Sequence, residues 1–174
     1  MNGNLTELVF VLDRSGSMAQ LEEDTIDGFN RMIAQQRDGP GDARVTVVLF
    51  DTQYEVLYNG MKIEDIPLMT NKEYYARGLT ALLDAVGKTI DDVGGRLSAM
   101  PEEERPGKVV FVITTDGMEN ASQSYSLEKV KAMVEHQKSK YAWEFLFFGA
   151  GIDAIGEAKS IGISAEKAMR VCAD

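Results

Sequence analysis

The chain alternates between short apolar runs and longer segments in which apolar residues recur at helical spacing. Continuous apolar runs are typical of strands buried on both faces of a sheet. Such strands are predicted at residues 7–13, 108–114 and 143–149, and further strands at 44–50 and 168–172. Helices are predicted at residues 20–36, from Thr80 to residue 97, at 126–138 and at 153–160.

A hairpin breaks the alternation of strands and helices. Only three residues separate the strand at 44–50 from an apolar run at 54–61, which is too short a connection for a parallel crossover. Residues 54–61 are therefore predicted to return antiparallel to the strand before them. The order β-α-β-β-α-β-α-β-α-β predicts an α/β domain with a mostly parallel sheet covered by helices on both faces.

Composition narrows the possible partners. The 28 acidic and 18 basic residues give a formal net charge of −10, which argues against nucleic acid or an anionic membrane as a partner. The one cysteine, Cys172, precludes an intrachain disulfide and fits a reducing compartment. The amino-terminal residues have no basic region or apolar signal core, and no apolar run is long enough for a membrane span. We expect a cytoplasmic protein.

Five oxygen-bearing side chains are predicted to lie where a strand or loop meets the start of a helix. Asp13, Ser15 and Ser17 follow the first strand, Thr80 follows a loop, and Asp116 follows the strand at 108–114. The carboxyl ends of strands are where open α/β sheets bind ligands. Two carboxylates roughly neutralise a divalent cation, and hydroxyl oxygens complete its coordination without adding charge. This donor set favours Mg²⁺ or Mn²⁺ over Ca²⁺.

Other interpretations of these residues exist. The two serines could cap the following helix, as could Thr80, and Asp116 could belong to a plain turn. An aspartate at a strand end also has the placement of a phosphatase nucleophile, which suggests a Mg²⁺-dependent phosphoryl-transfer enzyme. However, such sites place a second carboxylate two residues later, where this chain has Ser15. With one histidine, His136, and no phosphate-binding loop or nucleophile elbow, we expect no enzyme activity.

Taken together, the motifs identify a family resemblance that covers nearly the whole chain. Asp13-x-Ser15-x-Ser17 after an apolar strand, Thr80 in the next loop and Asp116 at a later strand end resemble the metal-ion-dependent adhesion site (MIDAS) of a von Willebrand factor type A (VWA) domain. The resemblance implies a doubly wound, Rossmann-like sheet, with the hairpin strand as its one antiparallel edge. It also implies that the serines and the threonine ligate the metal, while the aspartates bind it directly or through water.

The resemblance further implies a binding function. In such domains a glutamate or aspartate of a protein partner supplies the remaining metal ligand, so we expect a divalent-cation-dependent protein-binding module. Arg14 or Arg77 would orient the partner's carboxylate. Tyr74, Tyr75 and Arg77 could either rim the site or only cover the loop. Glu119 is a candidate for contacts behind the ligands. The alternative, besides an enzyme, is a structural domain with an empty site.

Two details qualify the resemblance. Met18, directly after the serines, is typical of bacterial members, and the resemblance is to a bacterial-type, stand-alone member of the family. Such folds usually close with a helix after the last strand, whereas this sequence ends at Asp174. We expect a single domain over residues 1–174, in which the usual C-terminal helix is either absent or has been trimmed from the sequence.

Overall fold

The described structure is a six-stranded sheet with helices on both of its faces. A computed structural model describes residues 1–115, 121–149, 154–164 and 167–170. The strands are β1 (Asn2–Asp13), β2 (Asp42–Phe50), β3 (Tyr54–Lys62), β4 (Pro106–Thr115), β5 (Glu144–Gly149) and β6 (Ala168–Arg170). The helices are α1 (Glu22–Asp38), α2 (Leu82–Ser98), α3 (Leu127–Tyr141) and α4 (Ala154–Ser160).

The strand order confirms the predicted fold class. The sheet runs β3-β2-β1-β4-β5-β6, and every neighbouring pair is parallel except β2 and β3. The antiparallel hairpin strand therefore lies at one edge, as the resemblance implied. Because β1 and β4 are central and parallel, their carboxyl ends lie at the same edge of the sheet, with Leu12 opposite Thr114.

Alternate residues of the central strands enter two separate cores. Val9 and Val11 pack with α2 and α3 on one face, whereas Phe10 and Leu12 pack with α1 on the other. This alternation is the two-residue period of an extended strand. Asp13 continues the odd-numbered series, so the period predicts that its side chain lies on the α2 side of the sheet.

Several helix boundaries differ from the prediction. A 3₁₀ turn (Gly16–Leu21) precedes α1, which begins at Glu22 rather than at residue 20. The assignment of Thr80 as a helix cap is wrong, because α2 has Ala81 as its N-cap and no capping side-chain hydrogen bond from that residue. In contrast, Ser126 caps α3 and accepts the Lys129 amide at 3.1 Å. Within the described ranges, no helix has the length and apolarity to cross a membrane.

Candidate metal centre

The first loop brings a carboxylate and two hydroxyls together at the end of β1. Asp13 and Ser15 are buried, and Asp13 Oδ1 accepts the Ser15 amide at 2.7 Å. The Oγ atoms of Ser15 and Ser17 are 3.0 Å apart, and Ser17 is exposed. The two hydroxyl oxygens are therefore adjacent, and one of them belongs to a residue that solvent reaches.

A residue that the sequence analysis missed fixes the other oxygen of the carboxylate. Thr115, the last residue of β4, is fully buried, and its hydroxyl donates to Asp13 Oδ2 at 2.8 Å. The parallel register places Thr115 beside Asp13, because Thr114 pairs with Leu12 one residue earlier. A polar residue at the end of an otherwise apolar strand was the available signal.

The second loop lies directly against the first. The amide of Gly16 donates to the carbonyl of Gly78 at 2.9 Å, two residues before the buried Thr80. Gly78 has a φ of +69°, and a Cβ there would be 2.6 Å from Asp51 Oδ2. Only glycine suits this turn, since a side chain would be strained and would displace Asp51.

Tyr74 lies beneath the first loop, so of the two interpretations of this residue the rim of the site is wrong. The residue is fully buried, and its hydroxyl donates to the backbone carbonyl of Asp13. Burial raises the pKa of the Tyr74 phenol well above its usual value, and the charge of Asp13 adds to this rise. Tyr74 therefore keeps its proton and supports the end of β1.

Both arginines that were predicted to orient a partner's carboxylate form ion pairs within the chain. The Arg14 side chain is 2% exposed, pairs with Glu55 at 2.9 Å, and lies 4.3 Å from the Tyr75 ring centroid. Arg14 is thus buried, and in this structure it cannot reach a partner protein. Arg77 pairs with Asp51 at 2.9 Å, but its side chain is 38% exposed and remains accessible.

The third loop is described only at its two flanks. Asp116 and Glu119, predicted as a ligand and as a residue behind the ligands, lie outside the described residues, as does Cys172. Before the gap, Thr115 binds Asp13, and after it the amide of Ala121 donates to the carbonyl of Thr80 at 3.0 Å. The flanks of the third loop are therefore attached to the first and second loops.

The donor chemistry of this edge fits a hard divalent cation. Four of the five predicted ligands lie in the described ranges: Asp13, Ser15, Ser17 and Thr80. These ranges contain no cluster of three or more His, Cys, Asp or Glu residues, so a site here depends on hydroxyl oxygens as well as carboxylate. Oxygen donors of this kind suit Mg²⁺ or Mn²⁺ rather than a softer metal.

Comparisons with known proteins show the fold. No protein-family model and no curated protein matches the sequence. Among solved structures, proximal thread matrix protein 1 (PTMP1) from the mussel byssus is similar, with a TM-score of 0.61 and 16% identity over 95% of this chain and 41% of that one. The ArnB paralog VWA2 from Sulfolobus acidocaldarius has a TM-score of 0.52 and 18% identity over 87% of this chain and 35% of that one.

These neighbours are VWA-domain proteins, so the chain has a VWA fold. A further PTMP1 structure, with a zinc-occupied MIDAS motif, has a TM-score of 0.60 and 17% identity over 95% of this chain and 41% of that one. The chain spans well under half the length of each of these structures. The likeness therefore applies to a part of each neighbour.

Proposed function

We propose that the protein is a divalent-cation-dependent binding module that docks an acidic residue of a partner protein onto a bound metal. The predicted ligands are Asp13, Ser15, Ser17, Thr80 and Asp116. The observation that carries the proposal is the 3.0 Å contact between the Ser15 and Ser17 hydroxyls beside the fixed Asp13 carboxylate. A VWA-fold neighbour with zinc at its MIDAS motif supports the metal, and we propose Mg²⁺ or Mn²⁺ here.

Electrostatics explains why an acidic partner would need the metal. The chain has a formal net charge of −10, so a carboxylate approaching it is repelled over long range. A cation at the exposed end of the first loop would reverse the local sign and offer a coordination position. Binding of an acidic residue would then depend mainly on the metal, because Arg14 is buried and Arg77, although 38% exposed, already pairs with Asp51.

We further propose that the module has no catalytic activity. A phosphatase-like site needs a general acid two residues after its aspartate, and Ser15 cannot supply a proton near neutral pH. The first loop instead uses Ser15 to support Asp13 through its backbone amide. We also propose a cytoplasmic protein of bacterial type, and the single cysteine is consistent with a reducing compartment.

An array of short peptides tests the proposed docking. Each peptide would carry a central Asp or Glu, with a matched Asn or Gln peptide as its partner, and binding would be measured in Mg²⁺ and in EDTA. We expect binding of carboxylate peptides that EDTA and Ser17→Ala abolish. The control is Ser139→Ala, which removes an exposed hydroxyl on α3. Carboxylate binding that is indifferent to EDTA, or absent in Mg²⁺, would overturn the proposal.

A further inference from the structure

Helix α2 is capped by a distant segment of the chain. Its N-cap, Ala81, provides no side-chain hydrogen bond, although the first N–H groups of a helix have no partner within it. The amide of Asp84, at the third position of the helix, instead donates to the Ser122 hydroxyl at 2.9 Å. The cap therefore comes from the segment that returns from the third loop.

The side chain of Asp84 completes a reciprocal arrangement. Its Oδ2 accepts the Gln123 amide at 2.8 Å, and its Oδ1 accepts the amides of Ser124 at 2.9 Å and Tyr125 at 2.8 Å. In a capping box, two residues of one helix exchange such side-chain-to-backbone hydrogen bonds. Here the partners are 38 to 41 residues apart. Hydrogen bonds to an ionised carboxylate are stronger than neutral ones, and the helix amino terminus favours its negative charge.

The segment that Asp84 binds, residues 121–125, also contacts the predicted metal ligand Thr80. Ala121 donates its amide to the carbonyl of Thr80, and Thr115 donates its hydroxyl to Asp13. The two described residues that flank the gap, Thr115 and Ala121, thus each bind a residue of the candidate site. Asp84, one helical turn after Thr80, binds the residues that follow Ala121.

Helix α2 also contacts residues 121–125 through a side chain alone, that of Tyr125. The Tyr125 hydroxyl donates to Asp91 Oδ2 at 2.6 Å, and its ring lies over Gly87, where a Cβ would be 2.2 Å from the ring. Asp91 is exposed, and its hydrogen bond is to the hydroxyl of Tyr125 rather than to the backbone. It therefore provides a matched acidic control for Asp84 on the same helix.

We propose that Asp84 is a positioning residue for the metal site. Its carboxylate holds residues 121–125 against the start of α2. This proposal rests on the proposed function, since it presumes that the site binds a cation. Residues that orient metal ligands without touching the metal typically change metal affinity by about 10- to 100-fold when altered. The role is therefore measurable as affinity and not only as stability.

Mn²⁺ titration followed by electron paramagnetic resonance tests this role in the full chain. Asp84→Asn, which is isosteric and retains one acceptor oxygen, is expected to raise the Kd for Mn²⁺ by about tenfold or more. Asp91→Asn is expected to change it by less than about twofold. Val93→Ala removes buried methyl groups from the same helix, and it should lower the unfolding temperature without changing the Kd.

The outcomes separate the two proposals. If the wild-type chain and Asp84→Asn bind Mn²⁺ equally, the positioning role is overturned while the metal site stands. If Val93→Ala weakens Mn²⁺ binding as much as Asp84→Asn does, the effect is one of general stability, and the positioning role is also overturned. A wild-type chain that binds no Mn²⁺ overturns the proposed function and the positioning role together.

Discussion

Thr115 donates its hydroxyl to Asp13 Oδ2 at 2.8 Å, and this bond joins the carboxyl ends of the two central strands. The other oxygen of the carboxylate accepts the Ser15 amide at 2.7 Å. One donor from β4 and one from the first loop therefore fix the plane of one buried carboxylate. A cation arriving at this edge would meet a first-loop carboxylate that is already oriented.

Replacing Thr115 by valine should weaken both the fold and the site. The substitution keeps the shape of the side chain but removes the buried hydroxyl that donates to Asp13 Oδ2, and a hydrogen bond to a charged group is typically worth about 1.5–3 kcal/mol. Chemical unfolding in EDTA measures this loss, and a Mg²⁺ titration measures the loss of affinity. The control is Thr114→Val, since Thr114 lines a cavity on the α1 face with Phe10 and Leu12. Equal effects of the two variants would refute a special role for Thr115.

Glycine at position 78 should be required for the second loop. Gly78→Ala introduces a Cβ at a φ of +69° and 2.6 Å from Asp51 Oδ2, so the loop that carries Thr80 must shift. We expect a lower unfolding temperature and weaker Mg²⁺ binding. Gly28→Ala is the matched control, because nothing lies within 4 Å of its Cβ and alanine favours a helix. Gly28→Ala should leave the unfolding temperature unchanged or raise it. A lower unfolding temperature for Gly28→Ala than for Gly78→Ala would show that the described geometry of the second loop is wrong.

Tyr74→Phe should destabilise the protein by removing a hydrogen bond beneath the first loop. The variant retains the buried ring but removes the hydroxyl that donates to the Asp13 carbonyl. Loss of this buried hydrogen bond should destabilise the protein by about 0.5–1.5 kcal/mol, as judged by urea unfolding. Tyr75→Phe is the control, since Tyr75 is 43% exposed and contacts Arg14 through its ring. Unchanged stability of Tyr74→Phe would show that the carbonyl needs no such donor.

Alkaline pH should destabilise the protein through Tyr54. Burial raises the pKa of Tyr54 from 10.0 to about 12, and the charge of Asp92 adds to this rise. Because the folded state holds the proton more tightly, the stabilisation is full below pH 10.0 and is lost as pH rises toward about 12. Tyr54→Phe should flatten this part of the stability profile.

The pH experiment requires one comparison. The hydrogen bond to Asp91 and partial burial raise the pKa of Tyr125 to about 12 as well, so Tyr125→Phe provides a parallel measurement. Each single variant should remove part of the loss between pH 10 and 12. A profile of Tyr54→Phe that matches the wild type throughout this range would contradict the assignment.

The sequence predicted the fold because its apolar pattern is regular. Continuous runs such as 108–114 indicated central strands, and the short link before Tyr54 indicated the antiparallel return. The sequence also brought Asp13, Ser15 and Ser17 together, because residues two apart in a tight loop remain close. Strand period and loop length are local properties, so they can be recognised without tertiary information.

Residues that act across the fold were not predictable in this way. Asp84 is one polar residue on an amphipathic helix, and nothing local indicates that its partners lie about 40 residues later. Arg14 was a candidate to orient a partner's carboxylate because it lies next to Asp13 in the sequence, but its side chain is buried and contacts Glu55 and the Tyr75 ring. In both residues the decisive contacts depend on how distant loops pack.

Direct titration of the chain with Mg²⁺ by isothermal calorimetry tests the central claim, which is that the first loop binds a divalent cation. We expect saturable binding of one Mg²⁺ per chain, which should be lost in a Ser15→Ala, Ser17→Ala double variant that still folds. Ser139→Ala should bind as the wild type does. A wild-type chain without saturable binding, or a double variant with unchanged binding, would contradict the claim.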